Sequence, residues 1–196
     1  MPRGVHGRRI AVLAAFAAAA VAASAATGSP PHFTGPTLTY PARPPDFALR
    51  DQNGRLIRLS AERGNVVLLT FLYTNCPDLC PLTAARINAA LGTLGPARKR
   101  VTALAVTVDP KGDTPAAVKA FIRGHRLRPQ FHYLTGSRKT LARIWRAYHV
   151  TAVRHPGDDV DHTLYTLVVD RSGKGRVLFD SQASALALAH DIRLLL

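Results

Sequence analysis

The chain of 196 residues holds only two cysteines, and acidic residues are scarce, with 12 Asp and Glu against 26 Lys and Arg. Two cysteines exclude a disulfide framework and a closed four-thiolate zinc site. The shortage of acids leaves a formal charge of +14 at neutral pH, for which nucleic acid is the first partner to consider. The arginines are spread along the chain, however, and no stripe of basic and aromatic residues appears. No nucleic-acid partner is therefore expected. A solvated arginine-rich surface, attracted to anionic headgroups or to an acidic partner, accounts for the balance. No internal repeat is present, and the length suits one domain with a tail.

Arg3, Arg8 and Arg9 precede an apolar, alanine-rich stretch over 10–26 that is broken only by Ser24. This is the layout of an export signal, and Ala23-Ser24-Ala25 supplies the small residues a signal peptidase cuts. The same stretch has the minimum length to span a bilayer, so residues 1–26 are either an export signal or a membrane anchor. Both place the remainder outside the cytoplasm. No cysteine lies near the cut site, which argues against lipidation there. Residues 27–45 contain six prolines and almost no periodicity, and read as a tether that leads to a folded domain over 46–196.

From Asp46 onward the pattern becomes regular. Short apolar runs at 47–49 and 55–59 flank Asn53-Gly54, a strong hairpin signal. Residues 66–73 (VVLLTFLY) are continuously apolar or β-branched, as in a strand covered on both faces. Ala84, Ile87, Leu91 and Leu94 recur at helical spacing, from a start near Pro77 to a stop at Gly95-Pro96. A second buried strand follows at 101–108, then a helix that Thr114 and Pro115 begin. A short strand at 131–134, a helix carrying Leu141, Ile144, Trp145 and Tyr148, strands at 163–170 and 176–180, and a closing helix over 184–196 complete the order. Alternating elements that finish in an antiparallel pair predict an α/β sandwich with a mixed sheet, preceded by an extra N-terminal hairpin.

Both cysteines fall in FLYTNCPDLCP (71–81), at the junction between the first long strand and its helix. With a helix starting near Pro77, Cys76 and Cys80 stack on one face, and the helix N-terminus favours their thiolates. Two adjacent thiolates repel until a disulfide, a proton or a soft cation relieves them. A disulfide closing so short a loop contributes only about 2 kcal/mol, which makes it a poor staple. Copper(I) accepts two or three soft ligands, and two thiolates with an imidazole suit it. His162 stands immediately before a buried strand in VDHTLYTLVVD (160–170); in thioredoxin-like domains the segment entering that strand faces the active-site cysteines. His155, in a Pro-Gly loop, is the rival candidate. Asp161 reads either as a residue that orients His162 through a hydrogen bond or as a surface residue. Asp109 reads as a turn residue supporting the site, Asp113 as a helix cap, and Asp78 as a solvated residue at the helix start.

Three blocks together, FLYTNCPDLCP (71–81), VTVDPKGDTP (106–115) and VDHTLYTLVVD (160–170), resemble the Sco/SenC family of copper-binding, thioredoxin-fold proteins. The similarity runs from Asp46 to the C-terminus with the blocks in the family's order. It implies a thioredoxin-like sandwich in which Cys76, Cys80 and His162 bind a copper ion. It further implies delivery of copper to the dinuclear copper site of cytochrome c oxidase, or reduction of that subunit's cysteines, from a periplasmic position that an inner-membrane anchor can hold. Three other readings stay open. A thiol-disulfide oxidoreductase would use Cys76 and Cys80 as a redox pair with no copper delivery. A peroxidase would share the early hairpin. A scaffold would require neither cysteine at the strand-helix junction.

Overall fold

Continuous apolar residues leave a strand no solvent face, and 66–72 is correspondingly the centre of the sheet. The computed structural model describes residue 1, residues 32–157 and residues 159–196. The apolar stretch expected as an export signal or anchor lies outside the described residues. Among the described residues no helix is long and apolar enough to cross a membrane.

The elements are β1 (Ala48–Arg50), β2 (Leu56–Arg58), β3 (Val66–Leu72), α1 (Leu79–Thr93), β4 (Val101–Thr107), α2 (Pro115–Gly124) and β5 (Phe131–Leu134). They continue with α3 (Arg138–Ala147), β6 (Ala152–Arg154), β7 (Val160–His162), β8 (Thr166–Val169), β9 (Gly175–Phe179) and α4 (Ala185–Leu195). Five strands form one mixed sheet in the order β5-β4-β3-β8-β9. The pairs β3–β4 and β4–β5 are parallel, whereas β3–β8 and β8–β9 are antiparallel. The expected α/β sandwich with a central mixed sheet and an N-terminal hairpin, β1–β2, is therefore present.

Register explains how the layers form. Thr70, Ala105 and Tyr133 are paired across β3, β4 and β5, and Phe121 of α2 packs edge-on against Tyr133 on that face. Phe71, Val106 and Leu134 point to the other face, where Tyr148 at the end of α3 packs on Phe71. Helix α1 packs against α4. Every residue of β3 and β4 is buried, which is why neither strand shows polar alternation. Thr114, Ser137 and Ser184 cap α2, α3 and α4, each side chain accepting the N–H three residues on.

Three local differences from expectation stand out. Asp113 does not cap α2, because Thr114 does. Helix α1 begins at Leu79 rather than near Pro77. A two-stranded hairpin, β6–β7, precedes β8 where only a loop was expected, with Ala152 opposite His162 and Arg154 opposite Val160. Of the proline-rich stretch 27–45, the described part is docked on the domain: Thr37 bridges Val177, Leu38 N donates to Arg176 O, and Gly175 N donates to Ala42 O. Buried Asp191 of α4 accepts from Thr34 N at 2.8 Å and Gly35 N at 3.0 Å.

Candidate metal and thiol centre

Strand β3 ends at Leu72, whose carbonyl still accepts from Val108 N at 2.9 Å. The chain then turns through residues 73–78 into α1, which puts Cys76 just before the helix and Cys80 in its first turn. The two sulfurs are thus not stacked on one helical face. Instead Cys76 Sγ accepts the N–H of Cys80 at 3.3 Å, the role a capping oxygen usually takes, and Asp78 makes no side-chain cap. The sulfur thereby satisfies one of the N–H groups that the first helical turn leaves unpaired. Both cysteines are free thiols, Cys80 buried and Cys76 half-buried.

The environments of the two sulfurs pull their acidities apart. A hydrogen bond from the Cys80 thiol, offset by partial burial and aided by the N–H groups of Cys80 and Asp78 and by Tyr73, brings Cys76 down to about 5. Cys80, as the donor in that bond and deeply buried, is pushed far up. The pair therefore shares one proton at neutral pH, with the charge on Cys76.

His162 closes the other side. It is the last residue of β7, and its Nε2 lies 3.6 Å from Cys80 Sγ. Its Nδ1 is 3.0 Å from the carbonyl oxygen of Thr163 and so carries the hydrogen, which leaves the Nε2 lone pair facing the sulfur. Burial depresses the pKa of the ring, keeping it neutral at neutral pH. Tyr73 stands edge-on to His162, with ring centroids 5.7 Å apart. The hydroxyl of Tyr73 donates to Asp159 at 2.8 Å, pinning the hairpin to the end of β3. Arg154 of β6 pairs with Asp109, which follows β4, and fixes the hairpin from its other strand.

Asp161, expected to orient His162, instead meets His155 Nε2 at 2.9 Å, accepting its N–H. His155 is thereby engaged across the hairpin, and among the described residues no hydrogen bond joins it to the cysteines. Asp78 is exposed at the helix start, as expected. Asp109 is buried and does support the hairpin, through Arg154. The sequence reasoning missed Tyr73, Arg154 and the β6–β7 hairpin. Its only signal was Pro156-Gly157, a turn between two short segments of mixed character. Among the described residues no three His, Cys, Asp or Glu side chains stand close enough together to hold a metal ion as they lie. What is assembled is a contact between Cys80 and His162 with Cys76 against the same sulfur.

The cleft over this site is lined by Tyr73, Cys76, Pro77, Leu79, His162 and Leu164, with Asp78, Asp159 and Asp161 at its rim. The family model described as SCO1/SenC matches residues 38–196. The chain belongs to the SCO1/SenC family. A SCO2-like protein of Rickettsia conorii is 32% identical over 135 residues, which is 66% of this chain and 65% of that protein. The chain thus spans a little under two thirds of the length of that curated relative. The solution structure of apo Sco1 from Thermus thermophilus is 33% identical with a TM-score of 0.73, covering 86% of this chain and all of that one. Copper-bound ScoI of Bradyrhizobium japonicum is 31% identical with a TM-score of 0.71, covering 79% of this chain and all of that one. These likenesses make the sandwich the thioredoxin-like fold of Sco structures.

Proposed function

We propose that this SCO1/SenC member binds a copper ion through Cys76, Cys80 and His162 and hands it to the copper-site subunit of cytochrome c oxidase, or reduces that subunit's cysteines. Assembly of cytochrome c oxidase is the role under which the Sco family is described, and copper is bound in the Bradyrhizobium relative. The observation that carries the reading is the 3.6 Å approach of neutral His162 Nε2 to the buried Cys80 sulfur, beside the charged sulfur of Cys76. Two thiolates and one imidazole form a soft donor set that suits copper(I) and is one donor short of a closed zinc site.

Each residue has a task in that reading. Cys76, already ionised, meets the incoming ion at the half-buried mouth. Cys80 gives up the shared proton on binding, and His162 adds its free lone pair without losing one. The carbonyl of Thr163 keeps the imidazole in the right tautomer. Thiolates of the partner then displace the three donors in turn, so the ion passes over without being free in solution. Metal analysis of the reduced protein tests this. Stoichiometric copper that is lost in Cys76→Ser, Cys80→Ser and His162→Ala supports it; binding unchanged in all three rejects it.

The division of acidity between the sulfurs favours a second reading as a thiol-disulfide oxidoreductase. Ionised Cys76 would attack a client disulfide, forming a mixed disulfide and releasing one client thiolate. Cys80, losing its proton, would then attack Cys76 and release the second, so that two electrons pass to the client. Reduction of a client disulfide in metal-free buffer, unaffected by His162→Ala, would select this reading over copper delivery.

Residues 1–26 as an export signal or inner-membrane anchor, and an extracytoplasmic site of action, belong to the same proposal. Fractionation of cells expressing the full chain tests it: recovery in the cytoplasm would remove it.

A further inference from the structure

We propose that Asp113 is a positioning residue for the cysteine pair: its buried carboxylate holds the turn that carries Cys76 against the end of the sheet. The copper part of this inference rests on the proposed function; the thiol part does not.

Asp113 is only 4% exposed. Its Oδ1 accepts from the backbone N–H of Thr74 at 2.8 Å and from the Thr74 hydroxyl at 2.7 Å. Its Oδ2 accepts from the hydroxyl of Thr107, the last residue of β4, and from that of Tyr133 in β5 at 2.8 Å. One oxygen thus faces the cysteine turn and the other faces the sheet. Thr74 lies two residues before Cys76, in the stretch between the last sheet bond at Leu72 and the start of α1 at Leu79. The Thr74 N–H has left the sheet ladder there and finds its acceptor in Asp113.

Burying a carboxylate is costly unless its lone pairs are filled. Four donors fill them here, three of them hydroxyls drawn from three separate segments. A helix cap would need none of this, and Thr114 already caps α2. A group of this kind restricts geometry: Thr74 cannot swing without stranding a charge in the core. The turn behind it therefore presents Cys76 to Cys80 at a fixed approach, which raises the effective concentration of one sulfur at the other.

The experiment compares the full chain with three variants. Asp113→Ala removes both halves of the clamp. Asp113→Asn keeps a carbonyl acceptor for the Thr74 N–H, while its amide can donate to the two sheet-side hydroxyls. Tyr133→Phe removes one sheet-side donor and leaves both Thr74 bonds in place. Three quantities are measured: the dithiol-disulfide equilibrium in metal-free glutathione buffer, copper(I) affinity by competition with a chelator, and the thermal midpoint.

In Asp113→Ala the disulfide equilibrium constant should fall about tenfold, a rise of about 30 mV in potential, with copper(I) affinity lower by a similar factor. Asp113→Asn should stay within about twofold of the parent on both. Tyr133→Phe should lower the thermal midpoint and leave both readouts unmoved. The proposal is overturned if Asp113→Ala folds and keeps both readouts, if Asp113→Asn moves as far as Asp113→Ala, or if Tyr133→Phe shifts the equilibrium in proportion to its lost stability. Should Asp113→Ala not fold, Thr74→Val decides: it deletes one of the two Oδ1 bonds, and an unmoved equilibrium sinks the idea. A parent that retains no copper would defeat the proposed function while the metal-free equilibrium still judges Asp113.

Discussion

The two ends of the same sheet put charge to different uses. At the end where β3 and β4 finish, Asp109 and Asp113 are buried, Asp109 Oδ1 pairing with Arg154 of the histidine hairpin and Asp113 holding the cysteine turn. Asp78, Asp159 and Asp161 rim the cleft above them. At the end where β3 and β4 begin, Glu62 accepts from Thr102 and Asp170 pairs with Arg176, and further arginines turn to main-chain oxygens. There Arg98 donates to Gly95 O, Arg193 to Thr93 O at the end of α1, and Arg100 and Arg171 both to Leu196 O just past α4. Of these, Arg193 meets the carbonyl of the last residue of α1, where a helix leaves oxygens unpaired and positive charge is favoured. Part of the +14 surplus thus serves the fold. Carboxylates at the other end are buried where they fix loops that carry sulfur or imidazole, because only a penalty for moving makes a loop hold still.

The contrast can be broken or sharpened by experiment, beginning with the largest effect. Iodoacetamide at neutral pH should modify Cys76 roughly a hundredfold faster than Cys80, since the thiolate is the nucleophile. Because the pKa of Cys76 is lowered to about 5, its rate should hold from pH 8 to pH 6 and fall as pH drops through about 5, as followed by mass spectrometry. A rate that halves near pH 9 would show that the sulfur is not held by its neighbours.

Next comes Gly112→Ala. A Cβ there would collide with Asp109 Oδ2, forcing the carboxylate off Arg154. Denaturant unfolding should report a loss of about 2 kcal/mol, and copper retention should fall with it. The matched change at the far end, Gly95→Ala, meets open space but a positive φ of 55°. It should cost about 1 kcal/mol with copper retention unaltered. Equal effects of the two glycines on copper would erase the distinction between the ends. The smallest effect belongs to Arg98, Lys99 and Arg100 changed together to Glu. Each sits on the 3-10 turn Gly95–Arg100. Stability should move by no more than about 0.5 kcal/mol per site, copper retention should not move, and retention on a cation-exchange column should drop.

Much of this was legible in the sequence. The continuous apolar runs named β3 and β4, Asn53-Gly54 named the β1–β2 hairpin, and Thr114-Pro115 named the start of α2, because each signal is local. The site was legible as three residue types at recognisable places: Cys76, Cys80 and His162. What escaped was their mutual geometry. That the Cys76 sulfur accepts an N–H at the start of α1 is something no propensity scale contains. Asp113 reads as a cap from its neighbours alone, and becomes a buried clamp only once Tyr133, twenty residues away, arrives beside it. Asp161 looks adjacent to His162 in sequence, yet alternation along β7 sends the two side chains to opposite sides, and Asp161 meets His155 instead.

By itself, then, the sequence determined the strands of the main sheet, the helices and which side chains can bind a soft ion, but not the β6–β7 hairpin, since hydrophobic periodicity, turn chemistry and donor type are properties of neighbouring residues. Only the tertiary structure decided that the imidazole of one hairpin meets the sulfur of a distant helix, and that one thiol is charged while the other is not. Those outcomes depend on burial and on hydrogen bonds between segments far apart in the chain, and burial exists only after the layers have packed.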